Sequence, residues 1–195
     1  ACAKHFPGHG DTDKDSHKTL PTISFNKKRL YNVEFFPYET LIRNGLSSVM
    51  VAHLNVPALD SRTNYPSSLS KKIITNNLKS KLNFKGLIFT DALDMSGVSN
   101  FSSPGDVDLN AFLAGNDILL MSKDVISGIN KIELAYNQGI IKESRLSHSV
   151  KKILYAKFKV GLNNYTPIEI NNIISDVNRV EDRLLNFDLI NDLLI

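Results

Sequence analysis

Apolar positions along the chain fall into two alternating patterns. Short, nearly continuous apolar runs occur at Ser48–His53 (SVMVAH), at Leu87–Thr90 (LIFT) and at Ile118–Met121 (ILLM). Runs of this length without polar alternation predict strands buried on both faces, as in parallel sheets. A fourth run, Ala1–Phe6, reads as the tail of another strand. Between the runs the apolar residues recur at helical spacing. Phe35 to Asn44 is closed by Gly45, and Leu69, Ile73, Ile74, Leu78 and Leu82 share one face ahead of Gly86. Asp106 to Ala114 is closed by Gly115. Two further helical faces, Val125/Ile129/Ile132/Tyr136 and Leu146/Val150/Ile153/Leu154/Phe158, stop at Gly139 and Gly161. Glycine just past a periodic run is a helix stop. Alternating strand and helix predicts an α/β fold of about four parallel βα units, half the eight of a (β/α)8 barrel.

The pattern changes after Gly161. Residues 1–162 form the βα part, and 163–195 read as a linker and a helical segment leading to a further part. Asn163-Asn164-Tyr165 is the linker, and Thr166-Pro167-Ile168-Glu169 has the form of a capping box that predicts a helix start. No internal repeat or low-complexity stretch interrupts the chain.

Composition narrows the function classes. Of 195 residues, 23 are basic and 20 acidic, a formal net charge of +3. Charges this interspersed give no footprint for nucleic acid, and Lys27-Lys28-Arg29 and Lys151-Lys152 read as solvated faces. No apolar run approaches the roughly 20 residues of a membrane-spanning helix. The single cysteine, Cys2, excludes an internal disulfide and leaves the redox compartment, and so the localisation, open.

The polar residues gather at predicted strand ends. In βα barrels the reacting groups sit where strands end and βα loops begin. Lys4 and His5 follow the first apolar tail, His53 ends the second strand, and Asp91 directly follows Leu87–Thr90. An aspartate at that place also serves as a helix N-cap. The segment between Lys4 and His17 holds three of the five histidines, three aspartates and two glycines. Asp15 and His17 flank Ser16, so a turn can set the carboxylate against the imidazole. Such a pair fixes the ring tautomer and stabilises its cation, leaving the second ring nitrogen to move a proton. The same residues also read as a solvated loop that caps backbone groups. Metal binding through His5, His9 and His17 is chemically open, but the spacings match no standard ligand pattern. No metal or other cofactor is called for.

Lys4-His5-Phe6-Pro7-Gly8-His9-Gly10 followed by Asp15-Ser16-His17 closely resembles the signature of bacterial β-N-acetylglucosaminidases in glycoside hydrolase family 3. The likeness continues through Val49–His53, Pro57–Asp60, Pro66–Ser70, Phe84–Met95 and Ala114–Asp117, and covers about residues 1 to 162. The resemblance implies hydrolysis of terminal β-linked N-acetylglucosamine from cell-wall muropeptides or chitin-like oligosaccharides. It implies Asp91 as nucleophile, His17 as general acid/base and Asp15 as its partner. Lys4 and His5 would bind sugar hydroxyls, with His53 a further contact and Met95 either under the sugar or in the core. The usual retaining pair is two carboxyl groups, so histidine as the acid is a property of the group. Phosphorolysis or β-glucoside hydrolysis within the family, or sugar binding without catalysis, remain the alternatives. The chain opens inside the signature at Ala1, which leads to the expectation that the first half of the barrel precedes it. Four βα units would leave open sheet edges, so this chain alone is expected to have little activity.

Overall fold

The computed structural model describes residues 1–192, which fall into two compact units divided between Ala156 and Lys157. The first unit is built on a three-stranded parallel sheet in the order β1-β2-β3, with β1 Cys2–Phe6, β2 Ser48–Val51 and β3 Leu87–Thr90. β2 and β3 pair residue for residue from Ser48↔Leu87 to Val51↔Thr90. β1 starts in register at Cys2↔Ser48 and Ala3↔Val49, but Phe6 pairs with Val51. One extra residue therefore lies in β1 between Ala3 and Phe6. Such a bulge re-aims side chains near sites, and here it carries Lys4 and His5.

The crossover from β1 to β2 contains α1 (Lys27–Arg29), a π-wound turn over Leu30–Glu34, and α2 (Phe36–Arg43). α2 begins at Phe36-Pro37, where the missing proline N–H costs nothing, and stops at Gly45 with φ 82°. The second crossover is a wide helix, Lys72–Lys81, with i→i+5 bonds such as Leu82 N–H to the Asn77 carbonyl at 2.9 Å. After β3 come α3 (Ser96–Ser99), α4 (Pro104–Ala114), α5 (Val125–Asn137) and α6 (Glu143–Lys159). Asp124 caps α5 by accepting from the Ser127 N–H.

Val49, Val51, Ile88 and Thr90 lie on one face of the sheet and are fully buried. Ile73, Ile74, Leu78 and the rings of Phe6, Phe35 and Tyr38 complete that core, with Phe6 at 5.1 Å from both other rings, tilted to Phe35 and edge-to-face with Tyr38. The opposite face is more open: Met50, Leu87 and Phe89 are only half buried. The continuous apolar runs predict burial on both faces, and within this unit one face is fully covered and the other only partly.

Ile118–Met121 does not form the expected fourth strand. Ile118 makes one isolated parallel bridge to Phe89. The next rung is lost because the Thr90 hydroxyl, not a carbonyl, accepts the Leu120 N–H at 2.9 Å, and Met121 turns away at φ 48°. The segment follows β3 without extending the sheet, so three paired strands stand where four were expected. In the second unit, α7 is Ile173–Asp176 and α8 is Val180–Asp192. No helix starts at the Thr166–Glu169 capping box. Ile168 and Ile170 there are more than 70% exposed, and a capping signal without an apolar face to bury does not hold a helix.

Asp117 fixes β3 to α6. Its carboxylate accepts from the Ile88 N–H at 3.0 Å and from Ser149 and Lys152, with Arg145 at 3.8 Å. Burial opposes its charge, but bonds from Lys152 and Ser149 outweigh that and hold the carboxyl below its ordinary range. Asp117→Ala strands Lys152 and Arg145, each less than a quarter exposed, without their counter-ion. The expected cost is about 3–5 kcal/mol, measured by urea unfolding of variant and parent at neutral pH. Since the folded carboxyl titrates lower than the unfolded one, this contribution is present above the unfolded value and fades as pH falls through the folded one.

Candidate active site

A cavity of about 610 Å³ opens at the carboxyl ends of β1 and β3, lined by Lys4, His5, His9, Gly10, Asp15, Ser16, His17 and Asp91. That volume suits a small ligand. Lys4 and His5 come from the bulged end of β1, where the Lys4–His5 peptide bond is cis. Asp91 is delivered by β3, its N–H continuing the ladder to the Val51 carbonyl at 2.8 Å. One of its oxygens, Oδ1, accepts the Ala92 N–H at 3.0 Å, while Oδ2 lies 3.8 Å from His5 Nε2. Burial lowers the His5 pKa, with Asp91 pulling the other way. A histidine shifted down from 6.5 favours its neutral form, so His5 faces Asp91 Oδ2 as an imidazole rather than as a counter-ion.

Asp15 and His17 form a bonded pair. Asp15 Oδ1 is 2.7 Å from His17 Nδ1 and also accepts the His17 backbone N–H at 2.9 Å. That backbone bond first, and the ring second, hold the Asp15 carboxyl below its ordinary range. With Nδ1 taken by the carboxylate, Nε2 is left to exchange a proton with whatever enters the cavity. The His17 side chain is 75% exposed, so its position depends on the backbone of its loop. Ser16, between the pair, is buried with its hydroxyl 3.1 Å from His9 Nε2. The loop also lies against Ser96-Gly97 of α3. Ser96 N–H donates to the His17 carbonyl at 3.2 Å, and a Cβ on Gly97 would meet the Thr19 and Ser16 carbonyls at 2.7 and 2.9 Å. Only glycine allows that approach.

Lys4, His5, Asp15, His17 and Asp91 are thus brought around one space. His53 and Met95 are not part of its lining. His53 is fully buried, Nε2 donating to the Ala92 carbonyl at 2.9 Å and Nδ1 accepting from Ser68 at 2.7 Å. It steadies the residue after Asp91. Burial shifts its pKa down, consistent with this neutral tautomer. Met95 is 7% exposed and precedes α3. His9, Ser16 and Gly97 complete the site without having been singled out for it in the sequence. His9 carried a signal, as one of three histidines in the opening segment, whereas Gly97 carried none. Among the described residues no group of three or more His, Cys, Asp or Glu gathers as a metal site, and no helix is long and apolar enough to cross a membrane.

The fold and cavity together define an α/β protein with a free carboxylate and a carboxylate-backed imidazole at the carboxyl ends of parallel strands. Residues 1–156 match the glycosyl hydrolase family 3 N terminal domain, and the chain belongs to that family. It is 38% identical over 128 residues to beta-hexosaminidase A of Pseudoalteromonas piscicida, covering 60% of this chain and 21% of that protein. It is 34% identical over 155 residues to a beta-hexosaminidase of Haemophilus influenzae (strain PittEE), covering 76% of this chain and 43% of that one. A family 3 β-N-acetylglucosaminidase structure from Paenibacillus sp. str. FPU-7 superposes with a TM-score of 0.82 at 32% identity, over 87% of this chain and 33% of the other. The chain therefore spans less than half the length of these relatives.

Proposed function

We propose that this chain supplies the nucleophile and the acid/base pair of a retaining exo-β-N-acetylglucosaminidase that acts on cell-wall muropeptides or chitin-like oligosaccharides. The observation that carries this reading is the sharing of one cavity by Asp91 and the bonded Asp15–His17 pair. The names and structures of the relatives supply the substrate class. In the first step, the free Asp91 oxygen attacks the anomeric carbon as His17 Nε2–H protonates the departing glycosidic oxygen. Asp15 stabilises the imidazolium that precedes this transfer. In the second, Nε2 takes a proton from water as that water displaces Asp91 from the anomeric carbon, so configuration is retained overall. Lys4 and neutral His5 bind hydroxyls of the terminal sugar. We read the three strands as part of a (β/α)8 barrel whose interior carries the half-open face of Met50, Leu87 and Phe89.

The test is hydrolysis of an aryl N-acetyl-β-glucosaminide by the full-length protein, with the anomer of the first-formed sugar followed by NMR in phosphate-free buffer. The expected result is β-N-acetylglucosamine, mutarotating later. An α-product would overturn double displacement, and turnover only on adding phosphate would reassign the site to phosphorolysis.

A further inference from the structure

The loop that carries Asp15 and His17 touches the rest of the fold at two separated places. Its second half rests on α3, through the Ser96 bond and the close approach at Gly97 described above. Its first half rests on the crossover that leads to α2. Gly8 has φ 140°, and a Cβ there would lie 2.7 Å from both Glu34 Cβ and Cγ, so the loop starts directly on the Glu34 stem. Three residues later Asp11 pairs with Arg29 Nη2, which also reaches Glu34 Oε1 at 3.2 Å. Arg29 is held in turn: Asn26 caps its N–H at 2.9 Å, and its guanidinium lies 4.6 Å from the centre of the Phe25 ring. The Glu34 side chain is 8% exposed, whereas Asp11 is 44% exposed. The buried member is on the scaffold and the exposed member on the loop.

We infer that Arg29 is a positioning residue, clamping Asp11 to Glu34 so that the exposed end of the strap is tied down and His17 Nε2 points into the cavity. This inference rests on the acid/base reading of His17. A partly exposed ion pair contributes little to global stability. Its effect here is geometric, because it fixes the first of two anchor points; the second holds the backbone at Ser16, His17 and Thr19, and the exposed imidazole is set by its bond to Asp15 rather than by packing. One nitrogen, Nη2, meets both carboxylates, so a lysine ammonium, a point charge with three donors, can replace part of the bridge.

The test uses Arg29→Ala, Asp11→Ala and Arg29→Lys in the full-length protein, with two readouts. In hydrogen exchange, both alanine variants are expected to lose amide protection in residues 9–19 while the core strands keep theirs. In kinetics, both are expected to lose about ten- to a hundredfold in kcat/KM on a saccharide or alkyl leaving group, and much less on a nitrophenyl one. Arg29→Lys should recover part of the loss, and the double alanine variant should be no worse than the poorer single one. Asp11→Ala, altering an exposed side chain, keeps the experiment decisive if Arg29→Ala folds poorly. Unchanged loop exchange in Asp11→Ala, or losses equal on both substrates, would overturn the clamp. A His17→Ala variant without leaving-group preference would instead overturn the acid/base reading and the kinetic arm with it. Loop exchange would still decide whether Arg29 orders the strap.

Discussion

Asp91→Ala abolishes turnover, on the order of a ten-thousandfold or more in kcat, and leaves nothing for a fluorinated sugar to label. The fold sets this carboxylate at the end of β3. β3 ends at Thr90, the Asp91 N–H closes the ladder, and the Ala92 N–H takes one oxygen. The second oxygen faces the cavity beside His5, whose pKa is lowered by burial, so that imidazole does not pair with it as a cation. Double displacement has no first step without it, and losses of this size accompany removal of a nucleophile elsewhere. Asp91→Asn is the companion variant, because its amide oxygen can still accept from Ala92. This near-isosteric change should keep the unfolding midpoint while losing activity to a similar extent. The check is peptide mass spectrometry of the trapped parent enzyme. Label on a residue other than Asp91 would remove it from this role.

Much of the scaffold under that carboxylate was legible, because parallel strands advertise themselves. Leu87–Thr90 is bounded in the structure where its apolar run is bounded, and the helix stops at Gly45, Gly115 and Gly161 carry φ of 82°, 124° and 81°. The parts that misled were those decided by a partner rather than by pattern. Ile118–Met121 has strand composition, yet the Thr90 hydroxyl competes for the backbone rung that would have extended the sheet. Thr166–Glu169 has a capping box, but its apolar Ile168 stays exposed. The cavity follows the same division. Residue types at strand ends pointed to Lys4, His5 and Asp91, and the Asp-x-His spacing is short enough to form its own bond. What ties the loop down is long-range: Asp11 to Arg29 spans 18 residues, and Gly97 supports the carbonyls of Ser16 and Thr19 from the far side of two crossovers. No local pattern encodes those meetings. His53 shows the converse, since a histidine at a strand end reads as a ligand contact, while its bonds to Ser68 and Ala92 lie wholly inside the protein.

The second large effect separates proton transfer from structure. His17→Ala lowers kcat/KM by about 10²–10⁴-fold on a saccharide leaving group, the range of a lost general acid. A nitrophenolate departs with little protonation, so the same variant keeps most of its glycosylation rate on that substrate. Deglycosylation still needs a base to activate water, so a burst of nitrophenol followed by a slow steady state should appear. Asp15→Ala acts through the same ring. It removes the acceptor 2.7 Å from Nδ1 and the acceptor of the His17 backbone N–H, so the imidazole loses both its cation partner and its orientation. The Asp15/His17 double variant should cost no more than His17→Ala alone, since groups acting as a unit are not additive. Both side chains are about half exposed or more, so neither loss should shift the unfolding midpoint appreciably. Multiplicative losses in the double variant would mean the two residues act separately. Equal losses on saccharide and nitrophenyl substrates, with no burst, would leave His17 a structural residue and move the acid elsewhere in the cavity.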